Sequence, residues 1–537
     1  MTIAERSGLR MRSRALVIAT LCALLSSSCS GGGNGAGSDT LVYGRNKDAV
    51  NLDPAFAPDG MSLSVVHNVL EGLTRYKPGS FAVEPALASS WTHDSTGTVW
   101  TFRLRPGVKF QDGSPFDAAA VKFNFDRWRL KTDPYHKGGD FTYYESQFGG
   151  FPGIIRDVKA VSPGVVEIDL AKPSAPLLAN LAMPSFSISS PRAIKSEGED
   201  YSQHPVGTGP FEVAEWVHDD HITLRAYGDY WGGKPKVSTV VLKDIPTADS
   251  SLLSLQKGEI DGWEYPTPES LPQIEKDPDL RVYREPANNT MFLAMNELKR
   301  PFDDVLVRRA ISESIDANAI VQHFYDPGAF AATEFLPPVV WPSGVKTSYP
   351  YDPAGARRLL AQAGYPNGFS TTLWYMTTPR PYLPEPERVA EAIQADLKAV
   401  GIDAKLEGFE WSNYLYKVQD GEHNLALYGW TGDNGDPDNF LDTLLDENTA
   451  VPPGAQNVCF WKNAQFHDLM LRAQTTIDQA RRAEIYKKAL GILRDQAPLV
   501  AIVHTAPPTV FKKSVEGFIP RPDDFQDFNA VSIGGGR

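Results

Sequence analysis

Cysteine is scarce in this sequence, with three among 537 residues. So few cysteines exclude a small domain held together by disulfides. Long runs of like charge are absent, and 22% of the residues are charged, which excludes a disordered tail or a coiled coil. Acidic residues outnumber basic ones by 66 to 52, so the mean field of the protein repels nucleic acid, and a local basic groove is the alternative left open. The length, with 42% hydrophobic residues, predicts a large folded protein with two or more lobes or one large composite fold.

Hydrophobic runs long enough for a membrane span are also missing. The apolar run at residues 15–25 has 11 residues, whereas a span needs about 20. Four arginines precede it and small residues follow it, which is typical of an export signal. Residues 1–28 are therefore predicted to be a signal peptide, and a retained membrane anchor is the alternative that the length disfavours.

The segment after this signal indicates a tether. Small residues before Cys29 resemble a bacterial lipobox, although Ser26 stands where leucine is usual. Cys29 would then carry lipid, and residues 29–39 would form a flexible Gly-rich spacer. Processing at Cys29 would leave 48 basic and 65 acidic side chains, a net charge of −17. Cys459 would be the only cysteine of the folded body, without a partner in the chain.

The remaining chain has a mixed α/β pattern. Residues 100–105, 165–170 and 221–226 alternate with the period of half-buried strands. Capping residues and apolar periodicity predict helices over 303–323, 353–364, 385–400 and 478–495.

Common enzyme signatures are incomplete here. The sequence has neither Gly-x-Ser-x-Gly nor His-Glu-x-x-His. The segment 228–235 has the glycine and lysine spacing of a phosphate loop, but proline replaces the required Ser or Thr. His218 and His221 could bind a metal, but a solvated hairpin turn is favoured.

An acidic loop offers a better candidate site. Asp433, Asp436 and Asp438 lie within six residues, without the spacing of a calcium loop. Aromatic residues flank the loop, so it could hold a cation against an apolar surface.

This loop, YGWTGDNGDPDNFL at 428–441, closely resembles the corresponding loop of bacterial dipeptide-binding proteins, the extracellular solute-binding components of peptide ABC importers. Similar stretches occur in order along most of the chain, at 84–91, 100–116, 205–211, 291–316 and 373–402.

The resemblance implies a two-lobed periplasmic-binding-protein (Venus flytrap) fold with mixed sheets flanked by helices. Lobe one would comprise residues 40–287, with an extra subdomain at about 77–204, and residues 506–537 would return to it. Lobe two would comprise residues 288–505. Two short crossings between the lobes would permit hinge closure.

The resemblance also implies ligand contacts. Asp433 matches the aspartate that binds the ligand's α-ammonium, and Arg380 matches the arginine that binds its α-carboxylate. Both matches suit the chemistry, because a carboxylate accepts from –NH₃⁺ and a guanidinium fork pairs with a carboxylate. Further predicted peptide-binding residues are Trp430, Tyr382, Gly429, Asp59 and Gly60.

Structural roles are the alternatives at these positions. Asp433 could cap its own turn, Arg380 could be a surface arginine, and the aromatic residues could belong to the core. The second disulfide of the family cannot form, because Cys459 lies near one of its positions but the expected partner region, residues 444–447, contains no cysteine.

We therefore expect a monomeric, exported lipoprotein without catalytic activity, cofactor or metal, which passes short peptides to membrane permease subunits. The expected ligands range from dipeptides to about tetrapeptides. Haem remains an alternative ligand, with His67 as a candidate axial residue that is better explained as structural. A secreted peptide-degrading enzyme is the other alternative, although no catalytic set can be assembled from the sequence.

Overall fold

The protein is described by a computed structural model that covers residues 39–534. The predicted signal peptide, Cys29 and nearly all of the spacer lie outside the described residues. Among the described residues, no helix combines the length and the apolar character needed to cross a bilayer.

The chain from residue 40 to residue 284 contains twelve strands and seven α-helices. They are β1 Thr40–Arg45, α1 Gly60–Val69, β2 Thr74–Tyr76, β3 Val83–Pro85, β4 Ala88–His93, β5 Val99–Leu104, α2 Ala118–Arg129, α3 Thr142–Phe148, β6 Ile155–Ser162, β7 Val165–Leu170, α4 Leu177–Asn180, α5 Pro191–Glu197, β8 Phe211–Val217, β9 His221–Ala226, β10 Thr239–Asp244, α6 Ala248–Lys257, β11 Gly262–Glu264, α7 Leu271–Lys276 and β12 Leu280–Arg284.

The next segment alternates helices and strands, and three short strands follow it. The elements are β13 Asn289–Met295, α8 Val305–Ser314, α9 Ala317–Phe324, β14 Phe330–Ala331, α10 Pro353–Gln362, β15 Phe369–Met376, α11 Pro386–Ala399, β16 Ile402–Phe409, α12 Trp411–Gln419, β17 Leu425–Thr431, α13 Asp438–Leu445, α14 Ala464–Thr475, α15 Gln479–Gln496, β18 Leu499–His504, β19 Pro508–Lys512, β20 Val515–Glu516 and β21 Ser532–Ile533.

Two large mixed sheets organise the two lobes. The first has the order β12-β19-β11-β1-β10-β9-β8, and only β1 pairs in parallel, with β10 and β11. The second has the order β14-β18-β13-β17-β15-β16, and β15 pairs in parallel with β16 and β17. The chain passes from one sheet to the other at residues 285–288 and back at 505–507.

Each lobe has its own buried core. The core of lobe two draws all its residues from 291–503, around the six-stranded sheet. Around the seven-stranded sheet, the core combines residues of 41–70, 211–242 and 511–531. A separate four-stranded sheet, β4-β5-β7-β6, packs in a third core of residues between 55 and 188.

One predicted helix differs from the structure. The helix expected over 303–323 is two helices, α8 and α9, separated at Ile315. Asp316 caps the second helix by accepting a hydrogen bond from the Ala319 N–H at 3.0 Å. This cap stabilises the start of a new helix, so the chain turns where the apolar periodicity alone predicts one continuous helix.

The His218–His221 segment forms the turn between β8 and β9, as predicted. Asp219 adopts a left-handed conformation there, with φ of 60°. Such a conformation is tolerated by Asp in tight turns.

Candidate ligand-binding site

A cleft cavity of about 180 Å³ has walls from both lobes. Lobe two contributes the end of β17 and the following loop, Thr431 to Asp433. Lobe one contributes the start of α1, Tyr265 and the C-terminal return. The cavity is lined by Gly60, Met61, Leu63, Ser64, Tyr143, Met183, Pro184, Ser185, Tyr265, Thr431, Gly432, Asp433, Asp523, Asp524, Phe525 and Gln526.

Asp433 is held by Asn439, the second residue of α13. Asn439 Nδ2 donates to Asp433 Oδ2 at 2.9 Å, and the Asp433 N–H donates to Asn439 Oδ1 at 2.9 Å. Burial raises the pKa of Asp433, and the Asn439 hydrogen bond offsets part of that rise. Within residues 39–534 no cationic side chain forms an ion pair with Asp433, so a ligand cation would find an uncompensated carboxylate.

The turn around Asp433 is capped by other side chains. Asn434 Oδ1 accepts from the Asp436 N–H at 2.9 Å, and Asp436 Oδ1 accepts from the Asp438 N–H at 2.9 Å. Asp436 also pairs with Arg482 of α15, and both side chains are buried. The loop is thereby fixed to lobe two without using the carboxylate of Asp433.

Arg380 lies in the turn between β15 and α11. Its backbone exchanges hydrogen bonds with Leu383 at 3.0 and 2.9 Å, which closes the turn. Its guanidinium carbon stacks 3.6 Å from the centroid of the Trp411 ring. Its Nε is buried and has no hydrogen-bond partner among the described residues. Stacking orients the guanidinium while leaving its N–H donors for a ligand.

Asp433 and Arg380 do not line the same cavity. Arg380 lines a neighbouring cavity of about 400 Å³ with Asn46 and Thr505. Tyr265 lines both cavities. The two predicted anchors therefore line two different cavities, which share Tyr265 as a wall residue.

The predicted contacts near Asp433 have different environments. Trp430 is half-buried, donates from Nε1 to Asn439 Oδ1 at 3.0 Å, and lines a third cavity of about 700 Å³ beside Asp433. Tyr382 is 6% exposed and belongs to the core of lobe two. It packs on Gly429, where an added Cβ would approach the Tyr382 ring to 2.4 Å. Tyr382 and Gly429 thus act here as packing partners beneath the cleft.

The predicted lobe-one contacts lie at the start of α1. Asp59 caps this helix, since its Oδ1 accepts from the Ser62 N–H at 3.0 Å. Gly60 is exposed and lines the cleft cavity, and a Cβ there would meet nothing within 4 Å. The carboxylate of Asp59 is therefore engaged in capping, whereas Gly60 presents backbone to the cleft.

Comparison with known proteins agrees with this architecture. Residues 82–451 match the family model described as bacterial extracellular solute-binding proteins, family 5, middle. A dipeptide-binding protein of Escherichia coli (strain K12) is 36% identical over 509 residues, which cover 92% of this chain and 94% of that protein. Heme-binding protein A of Haemophilus influenzae is 34% identical over 511 residues, 93% of each chain.

The chain belongs to family 5 of the bacterial extracellular solute-binding proteins.

Solved structures of similar proteins cover nearly the whole chain. HbpA2 from Haemophilus parasuis superposes with a TM-score of 0.85 at 32% identity, covering 92% of this chain and 99% of that one. The periplasmic binding protein DppA from Helicobacter pylori, solved with the peptide STSA, gives a TM-score of 0.76 at 33% identity over 92% and 98%. The predicted two-lobed periplasmic-binding-protein fold is confirmed.

Several residues of this family member's cleft were not identified from the sequence. Asn439 and Trp411 orient the two predicted anchors, and Tyr265 lines both of their cavities. Asp523 and Asp524 come from the C-terminal return. The consecutive acids at 523–524 and Asn439, which lies in the stretch 428–441, were visible signals, whereas Trp411 and Tyr265 are single aromatic residues outside the recognisable stretches.

Cys459 is fully buried in lobe two and is a free cysteine. Burial raises the pKa of its thiol to about 12. A thiol with such a pKa is inert at neutral pH, so Cys459 is a packing residue of this family member.

Proposed function

We propose that this solute-binding protein is the substrate-binding component of a peptide ABC importer that captures peptides, from dipeptides to about tetrapeptides, between its lobes. The observation that carries the proposal is a pair of opposite charges, Asp433 and Arg380, which have no ion-pair partner among the described residues and line two cavities that share Tyr265. A free peptide has an ammonium and a carboxylate at its ends, which these side chains complement. The names of the Escherichia coli relative and of the Helicobacter pylori complex support the same ligand class.

Peptide capture would be coupled to transport through closure of the lobes. A ligand that contacts both lobes favours the closed state, and a permease can distinguish that state from the open one. The lobe boundaries proposed above, 40–287 with 506–537 and 288–505, place the hinge at the two passages between the sheets. Binding alone drives this step, so no cofactor takes part.

The protein would act outside the cytoplasm, as its relatives' descriptions as extracellular and periplasmic support. We propose that Cys29 carries lipid and anchors the body to the outer face of the cytoplasmic membrane. Replacing Cys29 with Ser should then move the protein from the membrane fraction to the soluble extracytoplasmic fraction in immunoblots, with export unchanged. Retention of the variant on the membrane would contradict lipidation at Cys29.

A defined mixture of dipeptides to pentapeptides provides the test of ligand class. The purified protein should retain a subset, and denaturation should return those peptides intact by mass spectrometry. Recovery of no peptide would contradict the proposed function. Recovery of cleavage products would instead support the alternative of a peptide-degrading enzyme.

Haem is the second candidate, favoured by the relative named heme-binding protein A. The candidate axial residue His67 lines a cavity of about 200 Å³, separate from the cavity with Asp433, and stacks on Phe525 with a centroid distance of 6.2 Å. Burial lowers the pKa of His67 to about 4, as expected for an imidazole enclosed by the fold. Titration with hemin tests this candidate, because binding would shift the Soret absorption.

A further inference from the structure

The extra subdomain of lobe one is hydrogen-bonded directly to lobe two. The Ala175 N–H donates to the Gln474 carbonyl at 2.8 Å. Gln474 lies in the last turn of α14, where backbone carbonyls lack partners within the helix. Asn434 Nδ2 donates to Asn180 Oδ1 at 2.8 Å, and both side chains are buried. Two hydrogen bonds between the protein's own groups therefore join the lobes.

The apolar contacts of Ile477 cross the same boundary. This residue follows α14 in lobe two, yet its half-buried side chain packs against the lobe-one core of residues between 55 and 188. It is not among the described residues that pack against the core of lobe two. In the turn between β4 and β5, a Cβ on Gly97 would lie 2.9 Å from Ile477 Cγ1. Ile477 therefore stabilises contact between the lobes rather than the core of its own lobe.

A second glycine allows another close approach between the lobes. Gly435 belongs to the acidic loop of lobe two, and a Cβ there would overlap the side chain of Phe81 in lobe one. The backbone of Gly435 lies outside the left-handed region, so its conformation does not require glycine. Phe81 is held by an edge-to-face contact with Tyr76 at a centroid distance of 5.0 Å. The missing side chain at 435 is therefore what lets the loop lie against Phe81.

These contacts border the cavity of about 700 Å³ beside Asp433. Asn180, Asn434 and Gln474 line this cavity, with side chains of both lobes around it. Ile477 lines neither this cavity nor the one of about 180 Å³. Separation of the lobes would break both hydrogen bonds and expose the apolar surface of Ile477 to water, which costs free energy.

We propose that these contacts form an interlobe latch that keeps a fraction of the peptide-free molecules closed. The latch comprises the pairs Ala175–Gln474, Asn180–Asn434, Gly97–Ile477 and Phe81–Gly435. Affinity then depends on a residue outside the cavities, because the apparent dissociation constant of a ligand that binds the closed form rises as the closed fraction falls. Only this effect on affinity rests on the proposed peptide-binding function, whereas the effect on the closed fraction does not.

Solution scattering of the peptide-free protein, refolded from guanidine to remove bound ligand, tests the latch. Ile477→Asp places a charge in the apolar contact, and Gly435→Ala places a methyl group against Phe81. Each variant should have a larger radius of gyration than the wild-type protein, because each lowers the closed fraction.

Two matched controls change the same residue types away from the latch. Leu471→Asp alters an exposed apolar residue of α14, and Gly491→Ala adds a Cβ in α15 that would meet nothing within 4 Å. Both controls should keep the wild-type radius of gyration. If Gly435→Ala does not fold, as judged by its unfolding transition, the comparison of Ile477→Asp with Leu471→Asp decides.

Titration calorimetry with dialanine measures the effect of the latch on affinity. Ile477→Asp should weaken binding by roughly 3- to 10-fold, as expected for losing the burial of one half-buried apolar side chain. Leu471→Asp should keep wild-type affinity. Saturating dialanine should return Ile477→Asp to the radius of gyration of the wild-type complex, because the ligand then supplies the missing stabilisation of the closed form.

The outcomes separate the latch from peptide binding. Equal radii of gyration for the peptide-free wild-type protein and both latch variants would overturn the latch, as would an equal increase in the controls. A larger radius of Ile477→Asp with wild-type affinity for dialanine would overturn the effect on affinity. If the wild-type protein binds neither dialanine nor any member of the peptide mixture, the proposed function falls, and the scattering comparison still decides whether the latch exists.

Discussion

Asp433 is a half-buried carboxylate without a cationic partner among the described residues, and this property makes its role measurable. Asp433→Asn should weaken dialanine binding by about 10–100-fold, since a charge-assisted hydrogen bond contributes about 1.5–3 kcal/mol. The loss should disappear for N-acetyl dialanine, which lacks the ammonium. Arg380→Ala should likewise weaken the binding of dialanine, which has a free carboxylate, and should leave the binding of dialanine amide unchanged.

Titration calorimetry with dialanine, N-acetyl dialanine and dialanine amide checks both assignments. Asp420→Asn is a matched control, because Asp420 is an exposed acid of lobe two outside the cleft. Equal losses for free and blocked termini would mean that the two side chains stabilise the fold rather than contact the ends of the ligand.

At the residue scale, the sequence predicted which charged residues line the cleft more readily than it predicted how each side chain is packed. Asp433 and Arg380 belong to recognisable stretches, and both line the cleft. Tyr382 belongs to the same stretch as Arg380, yet it is a core residue beneath Gly429. An aromatic ring suits a core and a cleft equally well, so only three-dimensional packing distinguishes the two. Asp59 shows the same ambiguity for an acid, because capping and ligand binding use the same oxygen atoms.

At the scale of elements, the loop between β17 and α13 depends on a buried ion pair. Asp436 and Arg482 are 5% and 2% exposed, and Arg482 also donates from Nε to the Ala473 carbonyl at 2.9 Å. The pair joins the loop that carries Asp433 to α15. The position of the candidate anchor therefore depends on a contact 46 residues away in the chain.

Asp436→Asn should lower the free energy of unfolding by about 3–5 kcal/mol, because it leaves the Arg482 charge buried without compensation. Urea denaturation measures this loss. Glu484→Gln, which breaks an exposed pair with Lys487 on the same helix, should leave the midpoint unchanged. Recovery of stability in an Asp436→Leu, Arg482→Met double variant would support this cause, and continued loss would contradict it.

Elements were predictable where a local pattern and the tertiary packing agree. The strands expected at 165–170 and 221–226 have those bounds in β7 and β9. Their alternation matches a sheet with one buried face, so the local period is decisive. The single helix expected over 303–323 failed, because Asp316 caps a second helix within a continuous apolar pattern. The Asp436–Arg482 pair had no local signal, since its members are far apart in the chain.

At the scale of the whole molecule, buried titratable groups set the pH dependence of stability. Burial raises the pKa of Glu264 to about 8, although the nearby Arg45 lowers it in part. An unfolded Glu has a pKa near 4.3, so the folded state keeps a proton that the unfolded state loses above about pH 4.3. The stability from this proton is complete below that pH and is lost as the pH rises to about 8.

Two histidines act in the opposite direction. Burial lowers the pKa of His67 to about 4 and that of His423 to about 3. Stability from these neutral rings is lost as the pH falls below about 6.5, where unfolded histidine takes up a proton. Below pH 6.5, the two histidines and Glu264 change the free energy of unfolding in opposite directions. Above pH 6.5, the effect of Glu264 is no longer opposed by the histidines.

We therefore expect the free energy of unfolding to fall between pH 6.5 and pH 8, with Glu264 contributing about 2 kcal/mol to the change. Glu264→Gln should flatten this part of the profile in urea titrations. Glu269→Gln, a substitution of an exposed acid in the same region, should keep the wild-type slope. A profile for Glu264→Gln as steep as that of the wild-type protein would contradict the assignment.

The two passages between the lobes are tied to each other, so closure should occur as one motion. Asn289 Nδ2 donates to the Thr505 carbonyl at 3.0 Å, and the Thr505 N–H donates to Asn289 Oδ1 at 2.9 Å. A peptide that contacts both lobes should shift the molecule to its closed form and reduce its radius of gyration in solution scattering. Saturating dialanine should produce this decrease, N-acetyl dialanine at the same concentration should not, and Asp433→Asn should require more dialanine for the same change. An unchanged radius of gyration in the wild-type protein with bound peptide would contradict closure. It would mean that the peptide binds the open and closed forms with equal affinity, and such a ligand does not shift the equilibrium between them.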